Sequence, residues 1–430
     1  MVEQMMQDKV SEMAATQTVP TGYKQTEVGI IPEDWECKHI GELADVVRGG
    51  SPRPAGDARF FNGNFIPWLT VASLTNISPE QIYVVDTATK LTELGSLRSR
   101  VLNEDTLIVS NSGATLGVAK ILKIKCCAND SVAALVNQRL GNKIFLAHYI
   151  NTQTKKLQEQ IATGNGQPNL NTDLIRVIPV PFPCEAEQAA IANVLSDTDA
   201  LIAGLEQLIA KKQAIKTAAM QQLLTGRTRL SQFALRSDGT AKGYKTSELG
   251  QIPEDWEVVP FGNTLTIRHG KNQKAVASPN GTIPIFATGG QIGWADQYLW
   301  NKPSVLIGRK GTIDKPRYSD TPFWTVDTLF YSEIKDCADP KFIFYKFCMI
   351  DWMQYNEASG VPSLNASTIE RVLASLPLKE EQTAIATILS DMDSELNALE
   401  QKLAKARDVK QGMMQQLLTG RIRLPLEVVA

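Results

Sequence analysis

The chain has 430 residues, which is long enough for two or three domains. Of these residues 43% are hydrophobic and 21% charged, so each domain can have a substantial core. This composition excludes an intrinsically disordered chain, a collagen-like fibre and a small scaffold held together by disulfides. The 44 basic and 46 acidic side chains give a net charge of -2, which by the simplest rule argues against a nucleic-acid-binding protein.

Two motifs occur twice along the chain and divide it into two similar halves. A head motif at 22–36 returns 221 residues later at 243–257, and a tail motif at 187–227 returns 194 residues later at 381–421. The bodies between head and tail share only their closing signals, in which Gly166, Pro168, Leu170 and Asn171 recur as Gly360, Pro362, Leu364 and Asn365. Common ends around unlike middles indicate one frame that carries two different contact surfaces.

In chain order, the repeats predict seven segments. These are an N-terminal segment at 1–21, a globular domain at 22–183, a helical segment at 184–226, a linker at 227–242, a second globular domain at 243–377, a second helical segment at 378–424 and a tail at 425–430. Trp35 and Trp256 of the two heads are expected to be core anchors. The bodies contain short apolar or β-branched runs broken by Gly, Pro and Asn, which indicates β-rich α+β domains with long loops.

Both tails carry apolar residues at alternating steps of three and four, which is typical of a heptad seam. The seam runs through Ile191, Leu195, Ile202, Leu205 and Ile209 in the first tail, and through Ile385, Leu389, Met392, Leu396, Leu399 and Leu403 in the second. Prolines precede the tails at 183 and 377, and Gly226 and Gly420 follow them. Each predicted helix therefore has about forty residues and a length of about 60 Å.

Charge is sorted along each predicted helix, with acidic residues in the first half and basic residues in the second. The helix macrodipole explains such charges only near the helix ends. Antiparallel packing would set each acidic half against a basic half, whereas a parallel homodimeric coiled coil, the alternative, would set like charges side by side. The predicted fold is α+β, with two globular β-rich domains separated by a pair of long antiparallel coiled-coil helices and related by an internal pseudo-two-fold repeat.

Basic residues are concentrated in the second body between Leu265 and Arg317, where they alternate with amides and aromatics. Lys and Arg neutralise phosphates, and Arg, Asn and Gln can bond base edges, so this stretch favours DNA contact over an ordinary solvated surface. The candidates there are His269, Lys271, Asn272, Gln273, Lys274, Gln291, Arg309, Lys310, Thr312, Lys315 and Arg317. In the first body the candidates are Arg48, Ser51, Arg53, Arg59, Asn111, Ser112, Thr115 and Lys120.

Motifs for catalysis, cofactors and metals are missing from the sequence. The six cysteines form no C-x-x-C pair, the three histidines have no metal-ligand spacing, and no P-loop or dinucleotide-binding glycine motif is present. We therefore expect no catalytic, cofactor-binding or metal-binding residue in this chain. The lack of a long apolar run and of a secretory signal predicts a cytoplasmic protein with no membrane contact.

The duplicated motifs resemble the specificity (S) subunit of type I restriction–modification enzymes. The resemblance rests on the Gly-Tyr-Lys … Ile-Pro-Glu-Asp-Trp-Glu heads and on the tails from Glu-Gln through Leu-Ser-Asp to Gln-Gln-Leu-Leu-Thr-Gly-Arg. Weaker matches within the bodies are Ile66-Pro67-Trp68, Ser112–Gly117, Gly308–Thr312 and Pro322-Phe323-Trp324. The resemblance covers about Gly22 to Leu424.

This resemblance implies a non-catalytic DNA-binding subunit whose globular domains are target-recognition domains. Each would read one half of a bipartite site in double-stranded DNA, and the helices would set the spacer and dock two methyltransferase (M) subunits. Restriction (R) subunits would complete the complex, and S-adenosylmethionine, ATP and Mg would bind to these partners rather than to this chain. Met1–Thr21 would form a helix beside the distal tail.

Two alternatives remain at the level of the sequence. One is a stand-alone DNA-binding regulator whose helices make a homodimer, and it would need no methyltransferase subunit. The other is an enzyme whose site the motifs do not reveal, and it would bind S-adenosylmethionine as an isolated chain. Neither explains two unlike bodies between duplicated ends.

Overall fold

The computed structural model describes residues 19–162 and 170–425. The helix expected at Met1–Thr21 lies outside the described residues except for its last three positions, and so do Gly166 and Pro168 of the first closing signal. The chain divides into two units, residues 1–207 with 401–430 (unit 1) and residues 208–400 (unit 2). Among the described residues, no helix is both long and apolar enough to cross a membrane.

Unit 1 contains a globular body of strands and short helices. Its strands are β1 (Tyr23–Thr26), β2 (Gly29–Pro32), β3 (Glu36–His39), β4 (Asp45–Arg48), β5 (Phe61–Leu69), β6 (Tyr83–Val84), β7 (Thr89–Leu91), β8 (Arg100–Leu102), β9 (Leu107–Ser110), β10 (Ala119–Leu122), β11 (Cys126–Ala128), β12 (Val132–Val136) and β13 (Pro179–Phe182). Its helices are α1 (Ile40–Leu43), α2 (Val71–Thr75), α3 (Glu93–Ser96), α4 (Lys143–Ala162) and α5 (Thr172–Arg176). The main sheet has the order β4-β12-β9-β10-β6, and a second sheet has the order β7-β5-β11-β8.

The long helix α6 (Glu185–Leu224) begins in unit 1 and ends in unit 2. Unit 2 continues with the short helix α7 (Ser231–Ala234) and the strands β14 (Tyr244–Ser247), β15 (Gly250–Pro253), β16 (Glu257–Pro260), β17 (Leu265–His269), β18 (Ile283–Ala287), β19 (Gly290–Ala295), β20 (Ser304–Gly308), β21 (Arg317–Ser319), β22 (Trp324–Thr325), β23 (Leu329–Ile334) and β24 (Leu373–Leu376). Its other helices are α8 (Pro340–Met349) and α9 (Ala366–Arg371), and α10 (Lys379–Leu417) is the second long helix. The sheets have the orders β17-β23-β20-β21 and β19-β18-β22. The predicted α+β class and both long helices, of 40 and 39 residues, are confirmed.

Helices α6 and α10 run antiparallel within each unit, as the sorted charges predicted. In unit 1, Glu206 of α6 pairs with Arg407 of α10 at 2.6 Å between Oε1 and Nη2. In unit 2, Lys212 of α6 pairs with Glu395 of α10 at 2.7 Å between Nζ and Oε1, and a second pair joins Lys216 to Asp393. All eleven predicted seam residues are buried or half-buried. The seam that a homodimeric regulator would need is therefore already occupied within the chain.

A buried ion pair explains the lysine that interrupts the seam of α10. Lys410 is 9% exposed, and its Nζ lies 2.5 Å from Oδ1 of Asp199 on α6. His148 of α4 faces the same carboxylate at 3.5 Å. Burial and the nearby ammonium groups of Lys410 and Lys120 lower the pKa of His148 to about 3, so this histidine is neutral at physiological pH. Asp199 and Lys410 therefore compensate each other inside unit 1.

Each unit is closed by an arginine that follows the end of a long helix. In unit 1, Arg423 binds Glu187 at 2.6 Å and Asp34 at 2.8 Å, and the indole Nε1 of Trp35 donates to Glu187 at 3.0 Å. In unit 2, Arg229 binds Glu381 at 2.7 Å and Asp255 at 2.8 Å, and Trp256 donates to Glu381 at 3.2 Å. Both tryptophans are fully buried, as expected for core anchors. The head of each unit thus packs against the end of one long helix and the start of the other.

Unit 2 also contains a lysine that binds the end of a helix. Lys346 of α8 donates from Nζ to the carbonyl of Leu224, the last residue of α6, at 2.7 Å and to Oγ of Ser375 at 3.0 Å. A cation is favourable at this position because the carbonyl end of a helix carries partial negative charge. Burial nevertheless lowers the pKa of Lys346 to about 7.

Candidate nucleic-acid interface

In unit 1, three loops meet at one end of the main sheet. The loop after β4 is bonded to segment 128–132, which joins the end of β11 to the start of β12: the amide of Gly49 donates to the carbonyl of Val132 at 2.8 Å, and that of Gly50 to the carbonyl of Ala128 at 2.9 Å. The loop after β9 joins the same segment, since the Asn111 amide donates to the carbonyl of Ser131 at 3.0 Å. A side chain at Gly49 would collide with the carbonyl of Asn129, so the close approach of these loops requires glycine there.

Asp130 is the centre of this loop cluster, and three candidate residues contact it. Arg48 donates from Nε to the backbone carbonyl of Asp130 at 2.6 Å, and the Ser51 hydroxyl donates to its carboxylate at 2.5 Å. The side-chain amide of Asn111 donates from Nδ2 to the same backbone carbonyl at 3.2 Å. The Ser51 hydroxyl, followed by the charges of Arg48 and Arg53, lowers the pKa of Asp130. The fold therefore brings the loop of Arg48, Ser51 and Arg53 together with Asn111, which lies far from that loop in the sequence.

Two of the unit 1 candidates, Lys120 and Asn111, are buried in this structure. Lys120 is 1% exposed, and its ammonium donates to the carbonyls of Ser78 at 3.0 Å, Pro79 at 3.3 Å and Gln81 at 2.5 Å. Its charge is used inside the body, where burial lowers its pKa to about 8. Asn111 is also 1% exposed, so its amide cannot reach a base edge in this conformation. Neither side chain was recognisable as buried from local composition.

The remaining unit 1 candidates occupy different surroundings. Ser112 and Thr115 are half-buried in the loop that follows β9, where Thr115 and Ser110 share a hydrogen bond of 3.0 Å. Arg59 is exposed and binds Asp57 at 2.6 Å, away from the contacts of Asp130. Sequence reasoning missed Asp130 itself and Arg100, whose Nε donates to the carbonyl of Arg48 at 2.6 Å. No sequence signal marked either residue, because both are distant from Arg48 along the chain.

Unit 2 has a loop cluster at the corresponding end of its main sheet. The amide of Lys271, after β17, donates to the carbonyl of Thr325 at 2.8 Å, and the amide of Arg309, after β20, donates to that of Thr328 at 2.8 Å. Both loops are therefore tied to the short segment 325–328 before β23. The Trp324 indole donates to the carbonyl of Lys271 at 2.8 Å and fixes the first loop further.

Most unit 2 candidates are accessible. The exposed ones are His269, Lys271, Asn272, Lys274, Gln291, Lys310 and Lys315, and the half-buried ones are Gln273, Arg309, Thr312 and Arg317. Exposed aromatic side chains of Trp294 and Tyr298 lie in and after β19. This set of accessible cations, amides and aromatic rings suits contact with phosphates and bases.

The two bodies have the same core topology despite their unlike sequences. The order β4-β12-β9-β10 in unit 1 corresponds to β17-β23-β20-β21 in unit 2, with antiparallel pairing throughout. Gly270 takes the place of Gly49, since a side chain there would meet the carbonyl of Val326. The same three loops thus form each cluster, with different side chains. In the described residues, no group of three or more His, Cys, Asp or Glu side chains is placed to hold a metal ion.

Comparison with known proteins assigns this arrangement to a family. The model for the type I restriction modification DNA specificity domain matches residues 32–216 and 253–406, and the chain belongs to this family. The type I restriction enzyme MjaVIII specificity subunit of Methanocaldococcus jannaschii is 24% identical over 425 residues, which cover 92% of this chain and 94% of that protein. The putative MjaX specificity subunit of the same organism is 25% identical, with coverages of 94% and 97%. The resemblance inferred from the duplicated motifs is confirmed.

Solved structures show the same fold. The type I restriction-modification system S subunit from M. genitalium has a TM-score of 0.61 at 15% identity, covering 89% of this chain and 96% of that one. A chain from a structural study of complex assembly and conformational transition in the type I R-M system has a TM-score of 0.51 at 13% identity, with coverages of 91% and 99%.

Proposed function

We propose that this chain selects a bipartite sequence in double-stranded DNA, with the loop cluster of each unit reading one half of the site. The observation that carries the proposal is the pair of loop clusters, which share their topology and differ in their side chains. A common frame explains why both bodies would approach DNA in the same way. Unlike side chains on that frame explain why the two half-sites would differ, so the complete site would be asymmetric.

The antiparallel helices α6 and α10 would set the spacer between the two half-sites. Their ion pairs hold the helices in one register, with Glu206–Arg407 in unit 1 and Lys212–Glu395 in unit 2. A helix adds about 1.5 Å per residue, and duplex DNA rises about 3.4 Å per base pair. Helix length would therefore translate into a fixed number of unread base pairs.

The same helices would dock two methyltransferase subunits. Leu201, Leu208 and Ile215 follow each other at seven-residue steps on α6, and all three are exposed, by 56%, 38% and 44%. These apolar residues share one face of α6 outside the seam, and partner helices commonly cover such exposed apolar positions. Restriction subunits would then join the methyltransferase subunits.

Chemistry in the complex would belong to the partners, and this chain would supply sequence selection alone. S-adenosylmethionine would bind the methyltransferase subunits, which would methylate adenine at N6, and ATP and Mg would bind the restriction subunits. Sharing DNA contacts with partners fits a chain whose net charge is only -2. We expect the isolated chain to bind DNA weakly, and more weakly as salt rises, because counterion release dominates such binding.

Insertion of one heptad into both long helices tests the spacer. Seven residues are added between Gln207 and Leu208 in α6 and between Glu400 and Gln401 in α10. A full heptad keeps the apolar seam in phase, and the insertions lie between the Glu206–Arg407 and Lys212–Glu395 ion pairs. The variant and the wild-type chain are each co-expressed with the methyltransferase subunits in cells without other adenine methylation, and modified adenines are mapped by sequencing. We expect the same two half-sites with a spacer longer by about three base pairs, since seven residues add about 10 Å.

A matched insertion serves as the control. The same seven residues are placed at the exposed turn between Asp238 and Gly239, where they leave both long helices unchanged. This variant should keep the wild-type spacer. An unchanged spacer in the double-helix insertion would refute the role of the helices, and a continuous rather than bipartite wild-type site would refute the proposed function itself.

A further inference from the structure

Asn111 and Arg309 occupy the same place in the two bodies. Each is the first residue after the equivalent strand, β9 in unit 1 and β20 in unit 2. The backbone amide of each donates to the segment before the neighbouring strand of the sheet, β12 or β23, and the carbonyl of each accepts from a leucine of the closing signal, Leu170 at 2.8 Å or Leu364 at 3.0 Å. The side chains also bond alike, since Asn111 donates to the carbonyl of Asp130 and Arg309 donates to that of Asp327.

The two side chains differ in how far they reach from this common anchor. The short amide of Asn111 ends at the Asp130 carbonyl and is buried. The longer Arg309 touches the Asp327 carbonyl at 3.3 Å through Nη1 and remains partly exposed. That contact employs one of the five N–H donors of the guanidinium. Arg309 is therefore held at its base by two backbone hydrogen bonds and keeps most of its donors for a ligand.

The other arginines of the basic stretch are engaged differently. Arg268 binds the carboxylate of Glu333 at 3.0 Å. The guanidinium of Arg317 lies close beneath Gly290 at the turn between β18 and β19. Lys271, Lys310 and Lys315 are exposed point charges, which lack the planar fork of a guanidinium. Arg309 differs from them because its backbone is fixed, its guanidinium is a planar fork of donors, and its side-chain contact is to a carbonyl rather than to a carboxylate.

We propose that Arg309 is a specificity-determining residue that reads a guanine in the half-site bound by unit 2. The inference rests on the proposed function. A guanidinium matches the N7 and O6 acceptors of guanine in the major groove through two parallel hydrogen bonds, and no other base offers this pair. Asn111 has the same anchoring position in unit 1 but serves there to hold the loop.

Replacement of Arg309 by asparagine reproduces the arrangement of unit 1 inside unit 2. The new amide can reach the Asp327 carbonyl as Asn111 reaches that of Asp130, so the loop keeps its anchor while the donor fork is lost. In the methylation assay above, the Arg309→Asn complex should lose its preference for guanine at one position of one half-site by roughly ten- to a hundredfold. The other half-site and the spacer should stay as in the wild type.

Arg309→Lys separates base reading from phosphate binding, because it keeps the charge and removes the fork. It should keep part of the guanine preference, because an ammonium can also donate to the guanine acceptors, and Arg236→Asn, on the linker, should change neither half-site. A full guanine preference in Arg309→Asn, or weakening across all sites alike in that variant, would overturn the assignment while leaving the bipartite function standing. If Arg309→Asn abolishes methylation, Arg309→Gln, whose side chain is of intermediate length, is judged by the same two outcomes. A wild-type complex without a bipartite site would count against the proposed function instead.

Discussion

Replacement of Gly226 by alanine should loosen the contact between the head of unit 2 and the end of α6. Gly226 follows α6 with a φ of 72°, in the left-handed region, and a Cβ there would lie 2.5 Å from both Cγ and Cδ of Pro253 and 3.3 Å from the Trp256 ring. The rigid ring of Pro253 cannot turn away. The head would have to move, and the contacts between Arg229 and its two carboxylates would loosen with it.

Two costs add in this variant. An alanine in the left-handed region costs about 1–2 kcal/mol, and forcing a methyl group into a packed site costs about 1–3 kcal/mol. The expected loss is therefore about 2–5 kcal/mol in the free energy of opening of unit 2. Since 1.4 kcal/mol is a factor of ten, amides that exchange through this opening should exchange at least about thirtyfold faster.

Hydrogen–deuterium exchange read by mass spectrometry measures this effect on peptides that cover 219–229 and 252–258. Gly239→Ala is the matched control, because its φ is 83° and nothing lies within 4 Å of a Cβ there, so only the backbone cost applies. Gly420→Ala should produce the equivalent loss in unit 1, where its Cβ would press on Pro32. Equal exchange in Gly226→Ala and Gly239→Ala would refute the packing argument.

Three further changes have definite expected outcomes. The pKa of Lys346 is lowered to about 7 in the folded chain from its ordinary 10.5, so between these pH values the unfolded chain binds a proton that the folded chain lacks. The free energy of unfolding of the wild type should therefore rise with pH in this range, by up to about 1.4 kcal/mol per pH unit relative to Lys346→Met. Urea unfolding of both proteins from pH 7 to 10 measures this, and the same pH dependence in both would contradict it. Lys120→Ala should destabilise the chain by about 2–4 kcal/mol, because it leaves three buried carbonyls without their donor. Replacement of the exposed Lys123 by alanine is the control and should leave the thermal stability nearly unchanged. A loss of DNA affinity without a loss of thermal stability in Lys120→Ala would instead assign Lys120 to DNA contact. Arg229→Ala should lower the free energy of unfolding by about 3–5 kcal/mol in thermal or urea unfolding, because Glu381, 3% exposed, loses its partner. Arg229→Lys should recover part of this loss. An unchanged stability in Arg229→Ala would show that the contacts of Arg229 with Glu381 and Asp255 do not hold the head of unit 2 in place.

The architecture of the frame was readable from the sequence because its signals are local or repeated. Heptad spacing depends only on neighbours three and four positions apart, so it predicted helices α6 and α10 and their seam. Sorted charges predicted the antiparallel pairing, which the Lys212–Glu395 and Glu206–Arg407 pairs confirm. The repeated heads and tails predicted the family, and repetition also marked Trp35 and Trp256 as anchors.

The candidate interface was only partly readable, because its members come together through strand pairing over long separations. Sequence reasoning placed Arg48 and Asn111 among the candidates without showing that both meet at Asp130. It placed Lys120 among the DNA-contact candidates, whereas β10 is buried on both faces and the Lys120 ammonium donates to three carbonyls.

The sequence by itself thus determined the duplicated frame, the two long helices and the family, since each is specified by patterns of neighbouring residues or by outright repetition. Only the tertiary structure decided the strand order, the three loops that form each cluster and the correspondence of Asn111 with Arg309. The physical reason is that a strand pairs by backbone hydrogen bonds that nearly any sequence can make. The two unlike bodies can therefore share a topology that their side chains do not record.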